Sequence, residues 1–182
     1  RIAFTGEVSD TVVYVPTNDG LLHAISGVDG SEKWAFMPKQ LLRRLGPLRL
    51  ASTATRANHS YGLDGDVRVL KLDIDQNGKI DGDDRVWIFF GMRAGGNRYY
   101  ALDVTKYDDP KLLWDIGPET LLGVGQTWSQ PVVTRVNVKD GNTDAEKFVL
   151  IFGGGYDPRQ DVLDANGAQQ YMVDDVGNRV YM

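Results

Sequence analysis

Short runs of β-branched and aromatic residues alternate along the chain with turns rich in Gly, Asn and Asp. Three such apolar runs open similar segments, at residues 12–15 (VVYV), 86–90 (VWIFF) and 148–152 (FVLIF). Side chains of these types favour strands, whereas Gly, Asn and Asp permit the backbone angles of tight turns. The pattern therefore predicts an all-β protein.

The three segments resemble one another beyond their first run. Each continues through a Gly-containing turn into a shorter strand, and the first two end in a strand that holds a tryptophan, Trp34 or Trp114. Apolar runs of this kind fit strands covered on both faces, and repeats of small antiparallel sheets are typical of β-propeller blades. We predict a portion of a β-propeller, with about three blade-like units near residues 1–36, 61–116 and 128–182. A twisted β-sandwich is the alternative.

One segment is flanked by residues that typically begin and end a helix. A helix is predicted near residues 38–45, because Pro38 precedes it and Gly46 and Pro47 follow it. Leu41, Leu42 and Leu45 are expected to lie on its packed side. The basic pair Arg43 and Arg44 is expected to lie on its solvated side.

Two further segments are polar. Residues 140–146 (DGNTDAE) are predicted to form a hairpin tip, and residues 156–178 a long loop. The acidic residues Asp157, Asp161 and Asp164 lack the spacing of metal ligands, so a charged loop is the favoured interpretation.

Composition narrows the function classes. A formal net charge of -5 on 182 residues argues against a nucleic-acid or anionic-membrane surface, and it suits a cation ligand. No run approaches 18 apolar residues, so no transmembrane helix is predicted. The absence of cysteine excludes disulfides, thiolate metal sites and a cysteine nucleophile. The chain begins with Arg1 and shows no signal peptide, as expected of a processed or cut piece.

The segment DIDQNGKIDGDD is the sharpest chemical signal. Oxygen ligands fall at relative positions one, three, five and nine, with Gly78 at position six: Asp73, Asp75, Asn77 and Asp81. This is the spacing of an EF-hand calcium loop, in which the glycine permits a sharp turn and the next backbone carbonyl, here that of Lys79, also binds the ion. Ca²⁺ prefers six to eight oxygen ligands at ~2.3–2.6 Å. The sequence therefore predicts a Ca²⁺ site.

Two features depart from an ordinary EF-hand. The flanking sequences VRVLKL and RVWIFF are strand-like, so the loop is expected in a β-hairpin, as a static site that stiffens it. Position twelve is Asp84, which is shorter than the usual Glu and either ligates or faces solvent. An acidic turn without metal is the alternative interpretation, and Mg²⁺ is disfavoured because it prefers water-rich octahedral sites.

No catalytic arrangement is predicted. His23 and His59 lack metal-ligand spacing, Ser129 lacks a nucleophile elbow, and the Gly-rich stretches lack the strand-to-helix context of a phosphate loop. Trp34 and Trp114 are expected to pack within the blades. The chain is therefore predicted not to be an enzyme.

Several motifs in order resemble the PilC/PilY family of type IV pilus biogenesis factors and tip-associated adhesins. They are VYVPTNDGLLHAISGVDGSEKWAFMPKQLL, DIDQNGKIDGDD, FFGMRAGGNRYYALDVT with LLWDIG, GQTWSQPVV and VLIFGGGYD. The resemblance implies a C-terminal β-propeller, of which this chain would be a central portion. It also implies a place at the bacterial surface, pilus tip or outer membrane, with minor pilins and a host-cell receptor as partners.

The family's loop DxDxNxxxD, which binds calcium and supports pilus extension against retraction, matches Asp73, Asp75, Asn77 and Asp81, with the Lys79 carbonyl. The resemblance thus implies roles in pilus biogenesis, twitching motility, attachment and virulence. A quinoprotein (PQQ-type) dehydrogenase propeller is an alternative, although such enzymes typically stack the cofactor on a vicinal cysteine pair that is absent here. A carbohydrate-binding propeller module is a further alternative.

Overall fold

The computed structural model describes residues 2–3, 11–49, 59–140 and 143–182. Almost all regular structure in these residues is β, which confirms the predicted all-β class. The strands are β1 (Ile2–Ala3), β2 (Thr11–Pro16), β3 (Leu22–Ser26), β4 (Glu32–Phe36), β5 (Val67–Leu72), β6 (Arg85–Gly91), β7 (Tyr99–Asp103), β8 (Lys111–Ile116), β9 (Val132–Asp140), β10 (Thr143–Gly153) and β11 (Val180–Tyr181).

The strands form three antiparallel sheets, one after another along the chain. Their orders are β1-β2-β3-β4, β5-β6-β7-β8 and β11-β10-β9. In the first two sheets the register shifts at the same place in the third strand pair, between Ala24 and Ile25 and between Ala101 and Leu102. This shared irregularity supports the structural repetition that the sequence pattern indicates.

Apolar side chains bury the sheets against one another. The larger cluster joins the first two sheets and includes Val12, Leu22, Ile88, Phe90 and Tyr100, each of them at most 1% exposed. A smaller cluster joins the second and third sheets through Tyr99, whose ring centroid lies 4.3 Å from that of Phe152. The apolar run of β6 is thus covered on both faces, as its composition predicts, whereas Phe148 in the third run is 42% exposed.

The segment after β4 is helical, but not in the predicted form. A 3₁₀ helix spans Lys39–Arg44 and passes directly into a short α-helix, α1 (Leu45–Arg49), so the helical segment does not end at Gly46. Leu41 is fully buried, whereas Leu42 and Leu45 are 54% and 46% exposed. The prediction that all three leucines share one packed side was wrong, because three residues per turn place Leu42 and Leu45 away from Leu41.

Arg44 was also predicted wrongly as part of a solvated face. Its guanidinium donates hydrogen bonds to the carbonyl of Gly95 at 2.7 Å, to the carbonyl of Tyr61 at 2.9 Å and to the hydroxyl of Ser60 at 3.1 Å. Three residues per turn bring Arg44 to the same side as Leu41. The arginine therefore ties the helical segment to the turn after β6 and to the chain before β5.

Two polar segments are more ordered than predicted. The proposed hairpin tip at residues 140–146 is shorter, because β10 already begins at Thr143; residues 141–142 lie outside the described part of the chain. Within residues 156–178, a 3₁₀ helix spans Pro158–Asp161 and an isolated bridge joins Leu163 to Gln169. Asp157 is only 3% exposed, so it does not belong to a solvated charged loop.

Because the strands are antiparallel, successive connections lie at opposite ends of each sheet. The β5–β6 and β7–β8 connections lie at one end of the second sheet, and the β6–β7 turn lies at the other. At this second end the β6–β7 turn packs against the chain between β8 and β9, since Met92 N donates to Thr127 Oγ1 at 2.8 Å. A Cβ on Gly95 would lie 1.7 Å from the Gly62 carbonyl, so this contact requires glycine. Among the described helices, none is long and apolar enough to cross a membrane.

Candidate metal centre

The acidic loop occupies the connection between β5 and β6, which are paired up to Leu72 and Arg85. The predicted strand-flanked hairpin is therefore present. Ile80 is partly buried and packs against the larger core cluster, whereas most of the loop is exposed. A single apolar side chain thus anchors an otherwise solvated loop to the sheet.

Three carboxylates of the loop converge. Asp73, Asp75 and Asp84 each place one oxygen within 4.8 Å of the oxygens of the other two. Two oxygens bound to one Ca²⁺ at ~2.3–2.6 Å lie at most about 5 Å apart. The spacing of these oxygens therefore fits a single shared cation of that size.

Asp84 is the most buried member of the cluster, at 2% exposed. Its Oδ1 accepts the backbone N–H of Ile74 at 2.7 Å, and its Oδ2 accepts that of Asp81 at 3.1 Å. These bonds, that from Ile74 first, lower the pKa of the Asp84 carboxyl below its ordinary value. A solvent-facing Asp84 is therefore excluded; the residue braces both halves of the loop and still lies in the cluster.

Asp73 has one carboxylate oxygen that is not hydrogen-bonded within the described part of the chain. Its Oδ2 accepts the backbone N–H of Gly78 at 2.9 Å. Its Oδ1 is buried and has no hydrogen-bond partner among the described residues. A buried carboxylate oxygen without a partner is unfavourable, and a cation at the cluster would satisfy it. The residues present therefore fit a hard divalent cation.

Asn77 and Asp81, the other side chains expected to ligate, are arranged differently. The Asn77 amide nitrogen donates to Asp75 Oδ2 at 2.8 Å and to Asp81 Oδ2 at 3.3 Å, while its oxygen accepts the Lys79 N–H at 2.7 Å. In this arrangement an amide donor bridges the two carboxylates. Ligation through the Asn77 oxygen requires that side chain to rotate and to release Lys79.

The loop backbone turns where the sequence permits it. Gly78 has a φ of 83°, as expected for position six, and Gly82 has a φ of 51°. Gln76 also adopts a positive φ, of 59°, which no sequence signal predicted and which is uncommon for a residue with a Cβ. The ammonium of Lys71 donates to the carbonyl of Gly78 at 3.2 Å, so one positive charge already lies against the loop.

The residues weighed for catalysis have structural contacts instead. His23 lies on β3, with Nδ1 2.5 Å from Glu32 Oε2 and Nε2 3.3 Å from Thr17 Oγ1. The ring of His59 packs edge-on against Tyr61, at 4.5 Å between centroids. Ser129 Oγ accepts the backbone N–H of Gly153 at 2.9 Å.

Three small antiparallel sheets in series, with an acidic loop in one hairpin, define this chain as a portion of a β-propeller. Comparison with known proteins identifies the propeller family, because residues 2–174 match the model of the PilY1 beta-propeller domain. The chain belongs to this PilY1 β-propeller family, and both the resemblance and the fold class predicted from the sequence are confirmed.

Curated relatives and a solved structure agree with this assignment. The chain is 33% identical over 144 residues to the type IV pilus biogenesis factor PilY1 of Pseudomonas aeruginosa strain UCBPP-PA14. The aligned region covers 79% of this chain and 11% of that protein. It is 32% identical over 126 residues to a PilY1 homolog of Xylella fastidiosa strain Temecula1, covering 69% of this chain and 10% of the homolog. The chain thus spans about a tenth of the length of these relatives.

The similar solved structure is the crystal structure of the Pseudomonas aeruginosa PilY1 C-terminal domain. The match has a TM-score of 0.56 and 28% sequence identity, and it covers 87% of this chain and 29% of that one. The three sheets therefore correspond to part of a larger solved domain.

Proposed function

We propose that this chain is a calcium-binding part of a type IV pilus biogenesis factor, in which the ion stiffens the β5–β6 hairpin. Asp73, Asp75 and Asp84 would hold the ion first, because their oxygens already converge. Asn77, Asp81 and the Lys79 carbonyl would complete the site after the Asn77 amide rotates.

The observation that carries the proposal is the buried, unpartnered Oδ1 of Asp73 within this cluster. An acidic turn without metal would need no such atom, since exposed carboxylates are satisfied by water. Bound Ca²⁺ would supply positive charge and oxygen coordination where the loop carries several carboxylates. It would therefore relieve their mutual repulsion and hold the two halves of the loop together.

The pilus assignment rests on the family and on the names of the relatives, which are type IV pilus biogenesis factors. We accordingly place the protein at the bacterial surface or pilus tip, with minor pilins as partners and a host-cell receptor as a further one. Its proposed role is to support pilus extension, twitching motility and attachment. The family match favours this role over a quinoprotein dehydrogenase.

Calorimetric titration of the chelator-stripped protein with Ca²⁺ tests the metal site. We expect stoichiometric binding and a higher Tm in Ca²⁺, both lost in Asp75→Ala, because a ligand that binds only the folded state stabilises it. Asp83→Ala is the matched control, since Asp83 is an exposed carboxylate of the same loop outside the cluster. Binding that survives Asp75→Ala contradicts the proposed ligands.

The pilus role needs a cellular measurement. The same two substitutions are made in the full natural protein that carries this sequence, and surface pili and twitching zones are compared. We expect Asp75→Ala to reduce both and Asp83→Ala to leave both unchanged. Normal piliation with a variant that no longer binds Ca²⁺ would separate the ion from pilus function.

A further inference from the structure

A cleft lies at the opposite end of the sheets from the acidic loop. It is open to solvent, has a volume of about 860 Å³ and is bordered by the chain before β5, the chain before β9 and the segment between β10 and β11. Small-molecule sites commonly enclose about 300–1,000 Å³. The cleft is therefore large enough for a ligand of two or three sugar rings.

One wall of the cleft is a fixed aromatic ring. Trp128 lines it and is 46% exposed, although tryptophan is normally largely buried. Its position is held by the Arg93 guanidinium, 4.5 Å from the ring, and by the indole N–H, which donates to Gln126 Oε1 at 3.1 Å. Tyr61, 36% exposed, also lines the cleft. Ordered and accessible aromatic surface therefore faces a cavity.

Polar groups of opposite hydrogen-bonding character lie beside this wall. Asp161 offers acceptors only, Arg179 offers donors only, and both line the cleft and are exposed. One guanidinium nitrogen of Arg179 donates to the carbonyl of Leu122 at 2.8 Å, so only the remaining donors face a ligand. Tyr156 donates its hydroxyl proton to Asp161 Oδ1 at 2.8 Å, which orients the carboxylate. One negative and one positive group leave the cleft without a strong excess of either charge.

Glycines form the floor. Gly153, Gly154 and Gly155 line the cleft, and hydrogen bonds hold their backbone in place, since Gly154 N donates to the Arg179 carbonyl and Gly153 N to Ser129 Oγ. A Cβ on Gly155 would lie 1.9 Å from the Gln126 carbonyl oxygen, and one on Gly154 would lie 2.9 Å from that of Gly177, so glycine at these positions lets neighbouring segments of the chain pack closely beside the cleft.

We propose that this cleft binds a neutral saccharide. A pyranose ring presents a face of C–H groups that packs on an aromatic ring such as Trp128, while its hydroxyls both donate and accept at the edge. Asp161 and Arg179 match those hydroxyls in their two roles. The inference is independent of the calcium proposal, because the acidic loop connects the other ends of the strands.

Calorimetry and saturation-transfer NMR with maltotriose, cellotriose and chitotriose test this inference in the full protein that carries this sequence. At least one is expected to bind saturably. Trp128→Ala is expected to weaken that binding about tenfold or more, and Trp128→Phe less, because the aromatic plane remains. Asp161→Ala, at an exposed position, is expected to weaken it as well.

Tyr171→Ala is the matched control, since Tyr171 is an aromatic residue 90% exposed on the same segment but outside the cleft. Binding is expected to be unchanged in this variant, in chelator and in Asp75→Ala. Two results overturn the proposal: none of the three sugars binds, or a bound sugar is insensitive to both Trp128→Ala and Asp161→Ala.

Discussion

Asp84 accepts the backbone N–H of Ile74 at 2.7 Å, so the last acidic residue of the loop holds the first turn of the same loop in place. Because Asp84 also accepts the N–H of Asp81, its carboxylate fixes the loop without help from an ion. The carboxylates of Asp73, Asp75 and Asp84 are consequently preorganised, and Asp84 serves the backbone as much as a metal ion.

Asp84→Asn is expected to destabilise the hairpin even in chelator. An amide has one acceptor oxygen, so its NH₂ group would face one of the two backbone N–H groups that Asp84 satisfies. Urea unfolding in the presence of chelator measures the effect, with Asp83→Asn as the control. Equal midpoints for the two variants would mean that the brace contributes nothing.

Arg44→Ala is expected to lower the free energy of unfolding by about 1–3 kcal/mol, because it leaves acceptors in the chain before β5 and in the turn after β6 without their donor. Arg43, its exposed neighbour, is the control, and Arg43→Ala should change stability by less than about 0.5 kcal/mol. Chemical denaturation of both variants gives the comparison. Similar losses at the two positions would contradict the contacts of Arg44.

Gly95→Ala is expected to cost about 3 kcal/mol or more, or to prevent folding, because the new Cβ would overlap a backbone carbonyl that cannot withdraw. Gly46 lies in α1 with no atom near its Cβ position beyond its chain neighbours, although Pro47 disfavours a side chain at the preceding helical position, so Gly46→Ala should change stability by less than about 1 kcal/mol. Expression level and Tm distinguish the two variants. A well-folded Gly95→Ala protein would mean that the chain before β5 does not pack against Gly95 as described.

The segment at residues 156–178 is expected to resist mild acid. The Arg159 side chain, together with the backbone N–H groups of Arg159 and Asp175, holds the pKa of the Asp157 carboxyl well below its usual range. A lowered folded-state pKa gives stability that is present above the ordinary value of about 3.9 and is lost as pH falls through the folded value.

Amide hydrogen exchange of this segment, followed from pH 5 downward, measures that dependence. Protection should persist below about pH 4 and then fall, and Asp157→Asn should remove the dependence. Asp109→Asn, at an exposed position on the β7–β8 turn, should leave it unchanged. Loss of protection already near the ordinary aspartate pKa would contradict the role of Arg159.

Local chemistry made the strands and the acidic loop predictable. The β-branched runs predict the central strands, and the spacing of the acidic loop predicts Asp73 and Asp75 among the converging side chains, since both depend on neighbours within a dozen residues. The spacing also assigns Asn77 and Asp81 as ligands, whereas the structure brings Asp84 into the cluster. The orientation of the Asn77 amide depends on which nearby acceptors its nitrogen reaches, and residue spacing alone does not predict it.

Contacts between distant segments were not predictable. Arg44 meets Gly95 across 51 residues, and the choice between 3₁₀ and α geometry at residues 39–44 decides which leucine is buried. The cleft was missed for the same reason, because its residues come from three separate segments. The exposed tryptophan in the stretch GQTWSQP, between Gly and Pro, was the one signal that could have indicated it.

Because strand direction alternates, each sheet has two ends that can change independently. The connection between β10 and β11 and the loop between β5 and β6 belong to different sheets and lie at opposite strand ends, so an insertion in the first is expected to leave the second in place. One end can therefore be redesigned for a new ligand while the other is kept.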